Sequence, residues 1–213
     1  MTVVFGPDTF TRADEAPSIA SPWNQRAGTV QLLSNMLALR AAGSIAEVLT
    51  AGHAAVLDAK VTATHVDAAI DGGPILRLQA GALTYYEIDA YTGNIEIYRY
   101  VAGAISAAIG NTAITLAAGS VVTFEATGAG ATVTFTATYN GGAVCVGATD
   151  TNAARIVAAG QTGIKCYTVS DDWDNYQAED LAVSTTVGEM LAAQQQQPRW
   201  PFPRRARAVA YAA

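Results

Sequence analysis

LTYYEIDAYTGNIEIYRY, residues Leu83–Tyr100, reads as two strands closed by a tight turn. LTYYEIDAY and NIEIYRY are rich in β-branched and aromatic residues, which pack well on a pleated surface. Thr92-Gly93 separates them, and the glycine supplies the positive φ that a two-residue hairpin turn requires. Side chains alternate across a strand with a period of two. Tyr86, Ile88 and Ala90 therefore share one face and read as core-facing. Tyr85, Glu87, Asp89 and Tyr91 share the other face, which reads as the polar side of an exposed hairpin.

The same pattern extends in both directions along the chain. Strands are expected near residues 8–12, 23–26, 30–40, 54–63, 74–80, 82–91, 94–101, 112–116, 120–127, 131–139, 142–147, 162–169 and 173–181. Gly, Asn, Asp and Pro separate them. A second hairpin is signalled by TFTATY, then Asn140-Gly141-Gly142, then AVCVG. Helical periodicity is nearly absent, with weak runs only at 45–55 and 187–196. Many short strands without an internal repeat predict an all-β, two-sheet antiparallel sandwich.

Near residue 182 the chain changes character. Residues 1–182 carry 8 of the 12 basic and 17 of the 18 acidic residues, a net charge of about −9. A body of this size fits one domain, and folding buries roughly 70% of such a chain's surface. Residues 183–213 hold four arginines, one glutamate, three prolines and the run Gln194–Gln197. That composition favours an extended C-terminal tail rather than a packed core. Within it, Arg199, Trp200, Phe202, Arg204, Arg205 and Arg207 are the side chains suited to gripping a partner, because Trp and Arg dominate interface energetics.

The acidic body argues against nucleic acid as a partner, since that requires clustered positive charge. No apolar run approaches the roughly 20 residues that span a bilayer, so no membrane partner is expected. MTVVFGPDTF has neither the charged nor the apolar region of a signal peptide, and synthesis in a cytoplasm is expected. Cys145 and Cys166 fall mid-strand and read as buried thiols, although one bridge between neighbouring strands stays open.

Several scattered positions together resemble a known family. They are Asp8-Thr9-Phe10-Thr11-Arg12, Trp23, Gly73-Pro74-Ile75-Leu76-Arg77, Tyr85-Tyr86 with Gly93 and Arg99, Tyr139-Asn140-Gly141-Gly142, Gly163-Ile164 and Asp174-Asn175-Tyr176. Their order resembles the concanavalin-A-like (laminin-G-like) jelly roll, and more narrowly the versions found in bacteriophage virion proteins and bacterial surface proteins. The opening D-x-F-x-R … W and the closing W-D-N-Y are similar to that family's paired first and last strands. The resemblance covers roughly residues 8–181 and implies the fold; a shared sandwich carries no activity by itself.

Four groups of residues are candidates for chemistry. Laminarinase-type glycosidases of this jelly-roll family carry E-x-D-x-E on their catalytic strand. Here Glu87 and Asp89 match, but the fifth position is Tyr91. A tyrosine with a pKa near 10 is a poor proton donor at neutral pH, so no enzyme is expected. The second group, Tyr85, Glu87, Asp89 and Tyr91, would suit a glycan platform, with rings stacking on sugar faces and carboxylates accepting hydroxyl hydrogen bonds. Cross-strand stabilisation of a hairpin explains the same residues. The third group is acidic. Asp172 and Asp174, beside Asp171 and joined by Asp8 if the first and last strands pair, would offer oxygen ligands to a structural calcium, the one cofactor implied. A solvated turn is the simpler account of them, since the group has no regular ligand spacing. Asp67, Asp71 and Asp150 read as turn residues or caps. In the fourth group, His53 and His65 lack zinc-ligand spacing.

Together these features suggest a non-enzymatic bacteriophage virion component, either a head-decoration or a tail-associated protein. Its jelly roll would face outward, and its tail would fasten it to other virion proteins or to copies of itself. A homo-oligomer within the particle follows from that reading. The alternative is a lectin-like carbohydrate-binding module that adheres to cell-surface glycan, and a glycoside hydrolase comes third.

Overall fold

The computed structural model describes residues 1–182 apart from 17–18, 49–51, 69, 92 and 169–170. Residues 183–213 lie outside the described residues. So, therefore, do the partner-binding set Arg199, Trp200, Phe202, Arg204, Arg205 and Arg207 and the helical run expected at 187–196.

Seventeen short strands follow one another: β1 (Thr2–Asp8), β2 (Trp23–Ala27), β3 (Val30–Leu33), β4 (Met36–Leu39), β5 (Ile45–Val48), β6 (Ala59–His65), β7 (Gly72–Leu78), β8 (Tyr85–Tyr91), β9 (Asn94–Val101), β10 (Ala104–Ile105), β11 (Gly110–Ala113), β12 (Val121–Thr127), β13 (Val133–Tyr139), β14 (Gly142–Val144), β15 (Thr149–Asp150), β16 (Gln161–Cys166) and β17 (Asp171–Asp180). They form two curled antiparallel sheets packed as a jelly-roll sandwich, with no helix among the described residues. Sheet A runs β14-β13-β12-β6-β17-β4-β3, with β1 also on β17 and β15 also on β13. Sheet B runs β10-β9-β8-β7-β16-β5-β2, with β11 also on β9.

The decisive hairpin forms in the expected register, with Tyr85 opposite Tyr100, Glu87 opposite Tyr98 and Tyr91 opposite Asn94. The second hairpin turns at Asn140 and Gly141, both at positive φ, and pairs Tyr139 with Gly142. The single strand expected at 30–40 is instead a hairpin, β3–β4. Ser34 (φ 52°) and Asn35 (φ 62°) turn it in the left-handed pair that two-residue hairpins favour. The weak helical run at 45–55 begins as strand β5, because pairing to β2 and β16 on both sides overrides the local period. The expected strand at 8–12 lies earlier, at Thr2–Asp8, where it pairs with the end of β17.

The family-like motif at the start of the chain is a structural clasp. The Asp8 carboxylate accepts hydrogen bonds from the Arg12 guanidinium (3.1 Å), the Trp23 indole (2.8 Å) and the Phe10 N–H (2.8 Å). Trp23 then packs edge-on to Tyr176, at 4.7 Å between ring centroids, which ties the opening segment to the closing strand. Arg77, fully buried, donates to the carbonyls of Leu57, Ile156 and Gly128 at 2.6–2.8 Å and so pins three loops.

Between the sheets lies the main core, which takes Tyr86, Ile88, Ala90, Ile95 and Ile97 from the hairpin. Sheet B is apolar on its outer face as well. Ile45, Ile75, Leu78, Tyr85 and Tyr100 form a second buried cluster there, with Tyr98 and Tyr167 packed against it. Cys145 and Cys166 are both free and buried, so no bridge joins them.

Candidate functional site

The outer face of sheet B collects the polar chemistry of the molecule. Glu87 and Asp89 project there from β8, and Glu96, Tyr98 and Tyr100 from β9. Lys165 comes from β16, with Tyr167 just beyond its end. Close approach of the strands makes this assembly compact. A Cβ on Gly73 of β7 would stand 2.1 Å from the Ile88 carbonyl oxygen, and one on Gly163 of β16 would stand 2.0 Å from that of Ala46. Only glycine lets the backbones meet so closely.

Lys165 is the centre of the face. Its Nζ donates to Glu87 Oε2 at 2.9 Å and to the Tyr100 hydroxyl at 3.0 Å. It also lies 3.3 Å from the Tyr167 ring centroid and 4.1 Å from that of Tyr100. Tyr85 stacks on Tyr100 at 4.6 Å and helps close the assembly. Burial pushes the Glu87 carboxyl up and the Lys165 amine down, and the ion pair between them opposes both movements.

These positions correct the expectation of an open hairpin face. Tyr85 is 2% exposed and Glu87 is 0% exposed, so neither can meet a ligand at the surface without rearrangement. The half-buried Tyr91 and the rim of Asp89 remain accessible. Together with Asp71, Tyr98, Ile105 and Tyr167 they line a cavity of about 260 Å³. Asp71, read from sequence as a turn residue, is therefore part of this wall. Lys165 and Tyr167 were missed, although a lone lysine between the apolar Ile164 and Cys166, sharing Tyr167's alternation, was the available signal.

Asp89 is the strained member of the wall. It is 5% exposed, and its Oδ1 has no hydrogen-bond partner. Burial, then the charges of Glu87 and Asp71, push its carboxyl up to about 8. Beside it, Glu96 accepts from the Tyr98 hydroxyl and from Asn111. A longer cleft of about 490 Å³ lies elsewhere in the molecule, lined by Asn24, Gln25, Arg26, Ala27 and residues 81–83.

The acidic group proposed for calcium does not assemble. Asp8 is occupied by Arg12 and Trp23, Asp172 pairs with Arg40 at 2.5 Å, and Asp174 bonds to Asn175. Among the described residues no group of three or more His, Cys, Asp or Glu side chains is placed to hold a metal ion. Asp150 does cap a turn, accepting from the Asn152 N–H at 3.0 Å. It also holds Arg99 at 2.6 Å and the Tyr86 hydroxyl at 2.9 Å in a buried pair at the sandwich edge. His53 and His65 are both buried. Each bonds a backbone carbonyl through Nδ1, and burial lowers its pKa, which keeps the ring neutral.

Several solved structures share this architecture. The carbohydrate-binding module CBM66 from Bacillus subtilis superposes with a TM-score of 0.54 at 17% identity, over 77% of this chain and 100% of that one. A β-1,3-1,4-glucanase (lichenase) from a mouse hindgut metagenome gives 0.53 at 10% identity, over 79% and 98%. The exoplasmic/lumenal domain of VIP36, in a form bound to Ca²⁺ and Man3GlcNAc, gives 0.51 at 10% identity, over 79% and 88%. The likeness is one of fold, a two-sheet antiparallel jelly-roll sandwich. No protein-family model matches the chain, and no curated protein matches it.

Proposed function

We propose that this chain is a lectin-like carbohydrate-binding module, and that the cavity between Asp71, Asp89, Tyr91, Tyr98 and Tyr167 receives the sugar. One observation carries the reading: three half-buried tyrosines and the side chains of Asp71 and Asp89 line a single small cavity. Tyrosine rings offer an apolar plane with a polar tip, and a carboxylate accepts hydroxyl hydrogen bonds. At about 260 Å³ the space falls just under the about 300 Å³ at which sites for drug-sized ligands begin, a scale suited to one sugar ring. The shared fold with a carbohydrate-binding module and with a VIP36 domain solved bound to Man3GlcNAc supports this reading over the virion component first expected.

Binding without turnover fits the chain's own residues better than hydrolysis. Retaining cleavage needs two carboxyl groups about 5–5.5 Å apart, one a free nucleophile. Glu87, the position matching the glycosidase motif, is buried and tied to Lys165. A glycan array probed with the full chain and with Tyr91→Ala and Tyr98→Ala tests the proposal. Binding lost in both variants is the expected result, and absence of binding to every glycan sinks it.

A further inference from the structure

The cavity is strongly asymmetric in charge. Asp71 and Asp89 line it, and Glu87 and Glu96 stand behind Asp89 close enough to raise its pKa. Lys165 is the one cation among the groups acting on Asp89, and it is already spent on Glu87 and Tyr100. Asp89 Oδ1, closed off from solvent, has no hydrogen-bond donor. A buried acceptor left without a partner costs about 1–3 kcal/mol, more when charged, so the site is poised to gain from a donor that brings positive charge.

The molecule also shows how this face treats an ammonium group. Lys165 Nζ is held by one carboxylate and by the faces of Tyr167 and Tyr100, at 3.3 and 4.1 Å from their centroids. Carboxylate plus aromatic face is the arrangement that recognises cationic nitrogen. The cavity gathers the same kinds of group two residues further along β8, with Asp89 and Asp71 as carboxyl groups and Tyr91, Tyr98 and Tyr167 as rings.

We propose that the cavity selects an amine-bearing sugar, its ammonium seated against Asp89 and the surrounding tyrosines. This rests on the glycan-binding reading and narrows it to one ligand class. A uronic acid would bring a carboxylate against Asp71 and Asp89, and none of the described residues lining the cavity is a cation to receive it. An N-acetylated sugar would set a neutral amide where the charge is needed.

At pH 6 the free chain holds Asp89 protonated, so an ammonium seated against it displaces that proton. Calorimetric titration of the full chain at this pH with three tetrasaccharides tests the assignment. They are the β-1,4 glucosamine tetramer with free amines, its fully N-acetylated form, and cellotetraose, which has hydroxyls in place of the amines. The free-amine form is expected to bind at least tenfold tighter than either neutral one. Asp89→Asn should remove most of the preference for the free-amine form over the two neutral ones. Asp71→Asn, at a half-buried position, should reduce the same preference and serves if Asp89→Asn fails to fold. Equal or weaker binding of the free-amine form overturns the amine assignment, as does a preference that survives in both variants. In either case neutral binding that Tyr98→Ala abolishes leaves the glycan reading intact. If none of the three tetrasaccharides binds, the amine assignment falls. A blank glycan array in addition removes the glycan reading as well.

Discussion

Lys165 and Glu87 form the buried ion pair on which the outer face of sheet B is built. Taking both charges out of water is costly, and their attraction offsets that cost only while both are present. Removing one partner leaves the other uncompensated. Lys165→Met should therefore destabilise the domain by about 3–5 kcal/mol, the range for breaking a buried pair. Adding Glu87→Gln should recover part of the loss, since a neutral amide has less to lose by desolvation. Urea denaturation of the two single variants and the double variant gives the coupling directly. A loss under about 1 kcal/mol for Lys165→Met, which is the scale of exposed pairs, would falsify the claim that this pair organises the face.

At the scale of elements, the hairpin β8–β9 owes its position to what β7 lacks. Gly72 pairs with Ala90 and Ile75 with Glu87, and between them Gly73 lies where a side chain would strike the Ile88 carbonyl. Gly73→Ala must push β8 away from β7, opening the ladder and moving Asp89 relative to Asp71. A cost of about 1–3 kcal/mol is expected, as for other overpacked sites. A shift below about 0.5 kcal/mol in denaturation, typical of surface substitutions, overturns that reading. The sequence pattern captured these elements unevenly. Alternation assigned Tyr86, Ile88 and Ala90 to the core correctly, because period two reports which residues share a face. It could not report what lies over the opposite face, so Tyr85 and Glu87 read as open when both are buried. β7 shows the reason: all seven of its residues are buried, and a strand packed on both faces loses its alternation. The cavity was half legible for a related reason. Asp89 and Tyr91 stand on the hairpin itself, but Asp71 and Tyr167 reach it only through the β7–β8 and β7–β16 pairings. No local pattern records which strands become neighbours.

For the whole molecule, carrying acidic groups in the interior sets a pH dependence opposite to that of most domains. Asp89 is pushed up to about 8 and Asp171 to about 7, in each case by burial first and neighbouring carboxylates after it. Both ordinarily titrate near 3.8. Between roughly pH 4 and 7–8 the folded chain therefore holds protons that the unfolded chain has released. Stability falls as pH rises wherever the folded state binds more protons. This contribution is fully present below the unfolded value and is lost as pH climbs through the folded one. Asp150, whose pKa is lowered by its bonds to Arg99, Asn152 and Tyr86, acts with the opposite sign, but its window lies below pH 4. His53 and His65, held below the ordinary imidazole value of 6.5 by burial, also act with the opposite sign, below about pH 6.5. From pH 6.5 to pH 8 the melting temperature should drop by several degrees, at roughly 2–4 °C per kcal/mol for a domain of this size. Asp171 is fully suited to isolate the effect: it is 1% exposed, its Oδ2 has no partner, and it does not line the cavity. Asp171→Asn should flatten the slope by that residue's share without touching glycan affinity. Calorimetric melts of both proteins across this range settle the sign, and a melting temperature that rises with pH overturns the account.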